Sequence, residues 1–263
     1  MIRLTQRRMA LILFLLLLLT LLSVAVSLCV GSTTLRPWAL WNGSGDAAMA
    51  RDVVLELRLP RTLAALAVGG LLALAGTLQQ VLLRNPLADP YILGTSGGAS
   101  VGALLALLLG ASTLLVNAAA GAGALCSIVV VFLLAGRDHS ATQTRLLLTG
   151  VALASFAGAL SSLLLSMAPD GLLRGMIFWL MGDLAGAHWQ SAMIALVILL
   201  LLLWPLSREL NIMGMAQESA YSLGLSHHTL RWILYFASAI ACALAVTTAG
   251  MIGFVGLIVP HAL

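Results

Sequence analysis

The chain has 263 residues, of which 61% are hydrophobic and only 8% are charged, and its mean hydropathy is +1.09. A soluble domain carries about 25% charged residues, so this composition excludes a soluble globular protein. The net charge of +4 comes from arginine alone, because the sequence contains no lysine. The arginines fall near the ends of apolar runs, which indicates membrane orientation rather than nucleic-acid binding. We therefore predict one all-α, polytopic membrane domain over residues 1–263.

Apolar runs along the chain predict seven membrane helices and the beginning of an eighth. The predicted ranges are 9–30, 61–83, 93–109, 114–135, 144–166, 189–206 and 230–249, with the eighth beginning near residue 252. The first run follows Arg3, Arg7 and Arg8 and is longer than the apolar region of a signal peptide, so we expect it to be retained. Alternating sides put the larger share of the arginines on the side of the amino terminus, which predicts a cytoplasmic amino terminus.

The turn between the second and third predicted helices contains Asn85, Pro86, Asp89 and Pro90. Each proline disfavours helix at the residue before it, so the second helix must end here and the next must restart beyond Pro90. Asp89 then lies near a helix amino terminus, where the helix dipole favours a carboxylate.

Small residues recur every fourth position in two of the predicted helices. Gly94, Gly98 and Gly102 form one stripe, and Gly150 and Gly158 belong to another. Such stripes allow helix backbones to approach closely in a bilayer, where apolar surface alone drives little association. We predict that these glycines serve helix packing.

Cysteine and histidine patterns predict neither a metal site nor a cofactor. The three cysteines lie inside apolar runs at unrelated spacings, and the five histidines form no close ligand set. We expect His261 to make a structural hydrogen bond. The chain also lacks a GxxxxGK[ST] phosphate-binding loop, so it does not bind ATP by that motif.

Several dispersed motifs, in this order along the chain, resemble the permease subunits of iron-siderophore, haem and cobalamin ABC importers. The motifs are Arg58-Leu-Pro-Arg61 with Gly76 and Gln79, Asn85–Pro90 with Leu93-Gly94 and Ser96–Ala99, Arg145–Ala152, Trp179–Asp183, Ala220–Gly224 and Gly253–His261. The resemblance extends from about residue 50 to the last residue. That family has roughly ten membrane helices, so we expect this chain, which stops at Leu263, to be either a fragment or a protein truncated at its carboxyl end.

The resemblance implies roles for residues at both ends of a translocation path. It implies that Arg58 and Arg61 dock a periplasmic substrate-binding protein, although both arginines could instead be interfacial anchors. It places the inner gate at Gln143 and Thr144, where helix capping by threonine is the plain alternative. Ser96 and Gly97 are expected along the path.

The resemblance also implies partners and a location. Residues 207–229 would form the cytoplasmic segment that couples the permease to the ATPase, unless they are simply a solvated loop. The residues expected to make that contact are Glu218, Ala220, Leu223 and Gly224. We expect two ATPase subunits, one binding protein and a second permease copy, in a bacterial inner membrane. The expected cargo is a ferric siderophore, with cobalamin or haem as alternatives, and the chain itself is expected not to be an enzyme.

Two other functions fit parts of the sequence. Gly94–Gly97 matches the GxSG string of rhomboid intramembrane proteases, in which Ser96 would need a histidine base such as His261. An ion-coupled secondary transporter would use broken membrane helices, but such transporters need acidic or basic groups within the membrane. Every acidic residue of this chain falls in a predicted loop or at the end of a span.

Overall fold

The computed structural model describes residues 6–31, 51–135, 142–213 and 227–262. Within these ranges every regular element is a helix, which confirms the predicted all-α fold. The α-helices are α1 (Gln6–Cys29), α2 (Leu59–Leu83), α3 (Thr95–Leu108), α4 (Thr113–Ala135), α5 (Thr142–Ser166), α6 (Asp170–Met181), α7 (Trp189–Leu203), α8 (Ser207–Met213), α9 (His227–Ala249) and α10 (Val255–Ala262). Six helical stretches in these ranges are long and apolar enough to cross a membrane, and α3 is a shorter apolar helix.

The contacts divide the chain into two units, Met1–Leu63 and Ala64–Leu263. In the first unit, α1 carries apolar side chains on all sides. Nearly all of the α1 side chains that the structure describes are exposed. A helix that is hydrophobic all round is typical of a membrane span. A π-helical stretch, Val53–Arg58, leads directly into α2.

The core of the second unit is built largely from small side chains. Leu71 and Leu72 of α2 are fully buried, and around them the neighbouring helices contribute mostly alanine. The buried alanines of this cluster are Ala67, Ala75, Ala99, Ala103, Ala106, Ala120, Ala124, Ala192, Ala241, Ala243, Ala245 and Ala249. Small residues at helix contacts allow close backbone packing in a membrane, which agrees with the stripes read from the sequence.

The glycine stripes differ in what they contact. A methyl group added at Gly98 would collide with the backbone oxygen of Gly123 on α4, and one at Gly102 would collide with Ala119 O. A methyl group at Gly150 would collide with Ile92 O. Gly158 faces open space among the described residues. The packing role of the stripe glycines stays a prediction.

Two interruptions of the helical path differ in detail from their predicted positions. A 3₁₀ turn, Pro90–Leu93, precedes α3, and Gly94 ends it with a φ of 77°. The helical path is interrupted between α9 and α10, where Gly250 has a φ of 71° and Phe254 a φ of 69°. The eighth helix was expected near residue 252 but begins at Val255, because this break precedes it. The second helical stretch begins earlier than residue 61, because the π-helical segment precedes α2.

Candidate functional site

The first candidate site is the pair Arg58 and Arg61, which flank Pro60 at the start of α2. Arg58 is half-buried, and its Nη1 donates to the carbonyl oxygens of Leu28, at 2.9 Å, and Cys29, at 3.0 Å. Arg61 is exposed. The sequence gave no signal that Arg58 bonds the end of α1. Their docking role stays a prediction.

The second candidate site is the turn from Asn85 to Pro90, which is held by its own side chains. The Asn85 side-chain oxygen accepts from Leu87 N at 3.0 Å, and Asp89 Oδ1 accepts from Tyr91 N at 2.8 Å. Asp89 is therefore the amino-terminal cap of the 3₁₀ turn, as its position in the sequence indicated. Leu87 is exposed at the tip of the turn.

Tyr91 joins this turn to the break between α9 and α10. Its hydroxyl donates to Ile252 O at 2.9 Å and accepts from Ile252 N at 3.1 Å. Backbone groups freed where a membrane helix is broken must find partners in the protein or in water. The tyrosine satisfies both groups of Ile252, so the two interrupted segments are held together.

Two glutamines of α2 and a glycine contact reinforce the same junction. Gln79 Nε2 donates to Pro90 O at 3.2 Å, and Gln80 Nε2 donates to Leu257 O at 3.3 Å. A methyl group at Gly76 would collide with Gly256 O. Gln79 is fully buried, and its Oε1 has no hydrogen-bond partner among the described residues. The α2 helix, the turn and the start of α10 thus form one packed unit.

Ser96 and Gly97 lie at the start of α3. Ser96 is buried, and its carbonyl oxygen accepts from Ser100 Oγ at 2.9 Å. A methyl group at Gly97 would come within 2.8 Å of the Ala157 side chain on α5. His261 is exposed in α10, and no hydrogen bond joins Ser96 to a histidine in the described part of the chain. The serine-protease alternative therefore lacks its nucleophile–base pair in this geometry.

The predicted gate and coupling residues are described only in part. Thr144 is exposed in the first turn of α5, and the backbone of Gln143 lies in the same turn, while its side chain lies outside the description. Residues 207–213 form α8, but Glu218, Ala220, Leu223 and Gly224 lie outside the described residues. The roles of all these residues stay predictions.

A cavity of about 600 Å³ lies between α4, α6, α7 and the end of α9. Its polar lining includes Asn117, Asp183, His188 and Thr247. Asp183 N donates to Ala249 O at 2.8 Å, which fixes the segment after α6 to the end of α9. The sequence did not predict this cavity, because its walls come from four separated parts of the chain.

The described spans and their interrupted helices define a polytopic helical membrane protein, and comparison with known proteins specifies its class. Residues 16–263 match the model of the FecCD transport family. The chain is 39% identical to the vitamin B12 import system permease protein BtuC of Salmonella typhi and, equally, to that of Salmonella newport, over 98% of this chain and 78% of each relative. A solved structure described as an inward-facing, metal-chelate type ABC transporter superposes with a TM-score of 0.83 at 32% identity. That superposition covers 95% of this chain and 80% of the other.

The chain belongs to the FecCD transport family. It is a multi-pass membrane permease of an ABC importer, and in this family the ATPase is a separate subunit. The predicted class is confirmed, and neither the protease nor the ion-coupled transporter is supported.

Proposed function

We propose that the chain forms the membrane path for a bulky metal chelate, with cobalamin as the first candidate and ferric siderophores or haem as alternatives. The observation that supports this cargo is the 39% identity to vitamin B12 permeases over 98% of the chain. The similarity to a metal-chelate type transporter supports the same chemical class.

The assembly that we propose contains two copies of the permease, two ATPase subunits and one periplasmic binding protein in a bacterial inner membrane. We place the amino terminus in the cytoplasm, because the arginine distribution favours that orientation. In that orientation the Arg58–Arg61 segment lies outside, and the Asn85–Pro90 turn and the amino-terminal end of α5 face the cytoplasmic side. Gln143 and Thr144 would then close the inner end of the path with uncharged groups that do not trap the cargo.

In this proposal, motion reaches the membrane through the segment 207–229. Glu218, Ala220, Leu223 and Gly224 would contact the ATPase; α8 forms the beginning of that segment, and α9 begins at its end. The Tyr91–Ile252 junction supplies a second connection, because it ties an interrupted helix to the turn before α3. Coupling between two sites requires a structural element whose conformational equilibrium both sites can shift. The turn before α3 and the break between α9 and α10, joined by Tyr91 and Ile252, are suited to that role.

Uptake in a host that lacks its own cobalamin permease tests the cargo. The host retains its ATPase and binding protein, and it is supplied with radiolabelled cobalamin, a ferric siderophore or haem in separate cultures. We expect cobalamin to accumulate, and accumulation to be lost in a matched host whose ATPase has an inactivated Walker lysine. Energy-dependent accumulation of a ferric siderophore or haem without cobalamin would contradict the first cargo candidate, while no accumulation of any of the three would contradict the proposed chelate class.

A further inference from the structure

The end of α6 is bonded directly to the end of α9 through the main chain. Asp183 N donates to Ala249 O at 2.8 Å. The Asp183 carboxylate accepts from Ala185 N at 2.8 Å, which fixes the local turn after α6. A bond between two main chains cannot be adjusted by a change of side-chain rotamer. It therefore fixes the distance between the two segments.

Two glycines with positive φ bring these segments into contact. Gly182 has a φ of 76° and Gly250 a φ of 71°. A methyl group at Gly182 would come within 2.8 Å of Met251 O, and one at Gly250 would come within 2.6 Å of Trp179 O. A left-handed conformation and a close backbone approach both favour glycine. The end of α6 therefore packs backbone against backbone on the break between α9 and α10.

The same break is attached to α3 and to the turn before it. The Tyr91 hydroxyl bonds both backbone groups of Ile252, and Ser100 Oγ donates to Met251 Sδ at 3.0 Å. The contacts with α6 and the contacts with α3 therefore meet within residues 249–252. We expect a segment this short and this heavily bonded to open as one unit rather than residue by residue.

We propose that α6, the break and the turn before α3 form one cooperative unit, which links the outer end of the membrane path to its inner end. In the proposed orientation, α6 lies outside and the Asn85–Pro90 turn lies at the cytoplasmic side. A movement of the turn reaches the break through Tyr91, and the break carries α6 with it. The role in transport rests on the proposed function, whereas the link between the contacts is a property of this chain alone.

Amide hydrogen exchange of the purified permease in nanodiscs tests the link without any partner. In Tyr91→Phe, Ile252 N loses its acceptor directly, so the informative amide is Asp183 N on the far side of the break. We expect Asp183 N to exchange at least about tenfold faster than in the wild type, because the break loosens as a unit.

Two controls accompany this measurement. Tyr235→Phe removes a hydroxyl that donates to Ile128 O, away from the break, and it should leave the exchange of Asp183 N unchanged. Amides of α5 in the same samples report any global unfolding. Faster exchange at Ile252 N with a wild-type rate at Asp183 N would overturn the proposal, because the two sets of contacts would then be independent.

A substitution on the α6 side tests the same link in the reverse direction. Gly182→Ala places a methyl group against Met251 O. We expect Ile252 N to exchange at least about tenfold faster in this variant, since coupling between two sites is reciprocal. Gly186→Ala is the matched control, because Gly186 has a similar φ of 72° but a methyl group there meets nothing within 4 Å among the described residues. Equal effects of the two substitutions on Ile252 N would overturn the link, because backbone strain alone would then account for them.

A disulfide between α6 and the end of α9 tests whether the two stay together during transport. Asp183 and Ala249 are bonded through their main chains, and both line the cavity beside α6, so Asp183→Cys with Ala249→Cys is suited to a bridge. The background carries Cys29→Ser and Cys126→Ser, which removes the two thiols that are not buried.

Uptake of radiolabelled cobalamin is then compared between the oxidised and the reduced form of this variant. We expect equal rates, because the bridge fixes a distance that does not change in the transport cycle. Loss of uptake on oxidation, with recovery on reduction, would overturn the proposed role, since α6 would then have to separate from the break. Absence of cobalamin uptake by the wild-type permease would contradict the proposed cargo, while the exchange rates would still decide the link.

Discussion

Tyr91 is the residue with the most specific contacts at the junction of the two interrupted segments. One hydroxyl group satisfies both the N–H and the carbonyl oxygen of Ile252. A buried backbone group left without a partner costs about 1–3 kcal/mol, so the loss of this hydroxyl affects two groups at once. The tyrosine therefore supplies partners to backbone groups that a continuous helix would have paired internally, and in this way it stabilises the break.

We expect Tyr91→Phe to lower the free energy of unfolding by about 2 kcal/mol or more, because Ile252 N and O lose their partner. Thermal unfolding of the purified protein in detergent measures the effect. Tyr235→Phe is the matched control, since it removes one hydroxyl bond, to Ile128 O within a helix. An equal or smaller loss in Tyr91→Phe than in the control would contradict the role given to Tyr91.

The sequence predicted local contacts of single residues better than distant ones. Asp89 was expected near a helix amino terminus, and it caps the 3₁₀ turn by accepting a hydrogen bond from Tyr91 N, two residues away. The partner of Tyr91 is 161 residues distant, so no local pattern could indicate it. The bonds from Arg58 to α1 escaped prediction for the same reason, since they depend on how two separate segments pack.

At the scale of elements, glycines set how closely the interrupted segments approach α2. Gly76 and Gly69 occupy the same helix. Gly76 meets the backbone of Gly256, while Gly69 has open space beside it among the residues that the structure describes. Alanine substitutions at the two positions therefore distinguish the effect on stability of losing the backbone contact from the general effect of replacing a glycine in a helix.

We expect Gly76→Ala to destabilise the protein by about 1–3 kcal/mol or more, because its methyl group would displace α10 from α2. Gly69→Ala is the matched control and should change stability by less than about 0.5 kcal/mol. Thermal unfolding and the yield of monodisperse protein measure both. If the two substitutions behave alike, the Gly76–Gly256 contact does not determine the position of α10.

Most helices could be located from hydropathy, but their ends depended on features that hydropathy does not report. The predicted range 144–166 agrees closely with α5, because charged residues and glycine bound a clear apolar run. The π-helical start before α2 was missed, since Val53–Arg58 contains two charged residues that resemble a loop. The late start of α10 was missed because the non-helical residues before it are as apolar as a helix.

At the scale of the whole molecule, the orientation in the membrane is a testable proposal. The arginine distribution favours a cytoplasmic amino terminus, which places the start of α6 outside and α8 inside. Both Asp170 and Arg208 are exposed at these places, so each can carry a reporter thiol without disturbing the core.

We expect a membrane-impermeant thiol reagent to label Asp170→Cys in cells with a permeabilised outer membrane. Arg208→Cys should be labelled only after the inner membrane is disrupted. Both variants are made in a Cys126→Ser background, and the background protein without a new cysteine is the control. The opposite labelling pattern would reverse the proposed orientation.

The family could be predicted from the sequence because its motifs are dispersed along the chain and occur in a fixed order. The cargo could not be predicted in the same way, because the buried residues where the described helices meet are mainly alanine and leucine. Such side chains give little indication of which metal chelate is carried. The cavity lined by Asn117, Asp183 and His188 was also beyond prediction, since it forms only when four segments meet.

The most direct test of the importer assignment is gentle purification of the tagged permease from its own membranes, followed by mass spectrometry of the proteins that accompany it. We expect an ATPase with a Walker motif and a periplasmic binding protein, both retained through size-exclusion chromatography. An unrelated tagged membrane protein of similar abundance controls for chance association. Recovery of the permease with neither partner, under conditions that preserve a known ABC importer from the same membranes, would contradict the importer assignment.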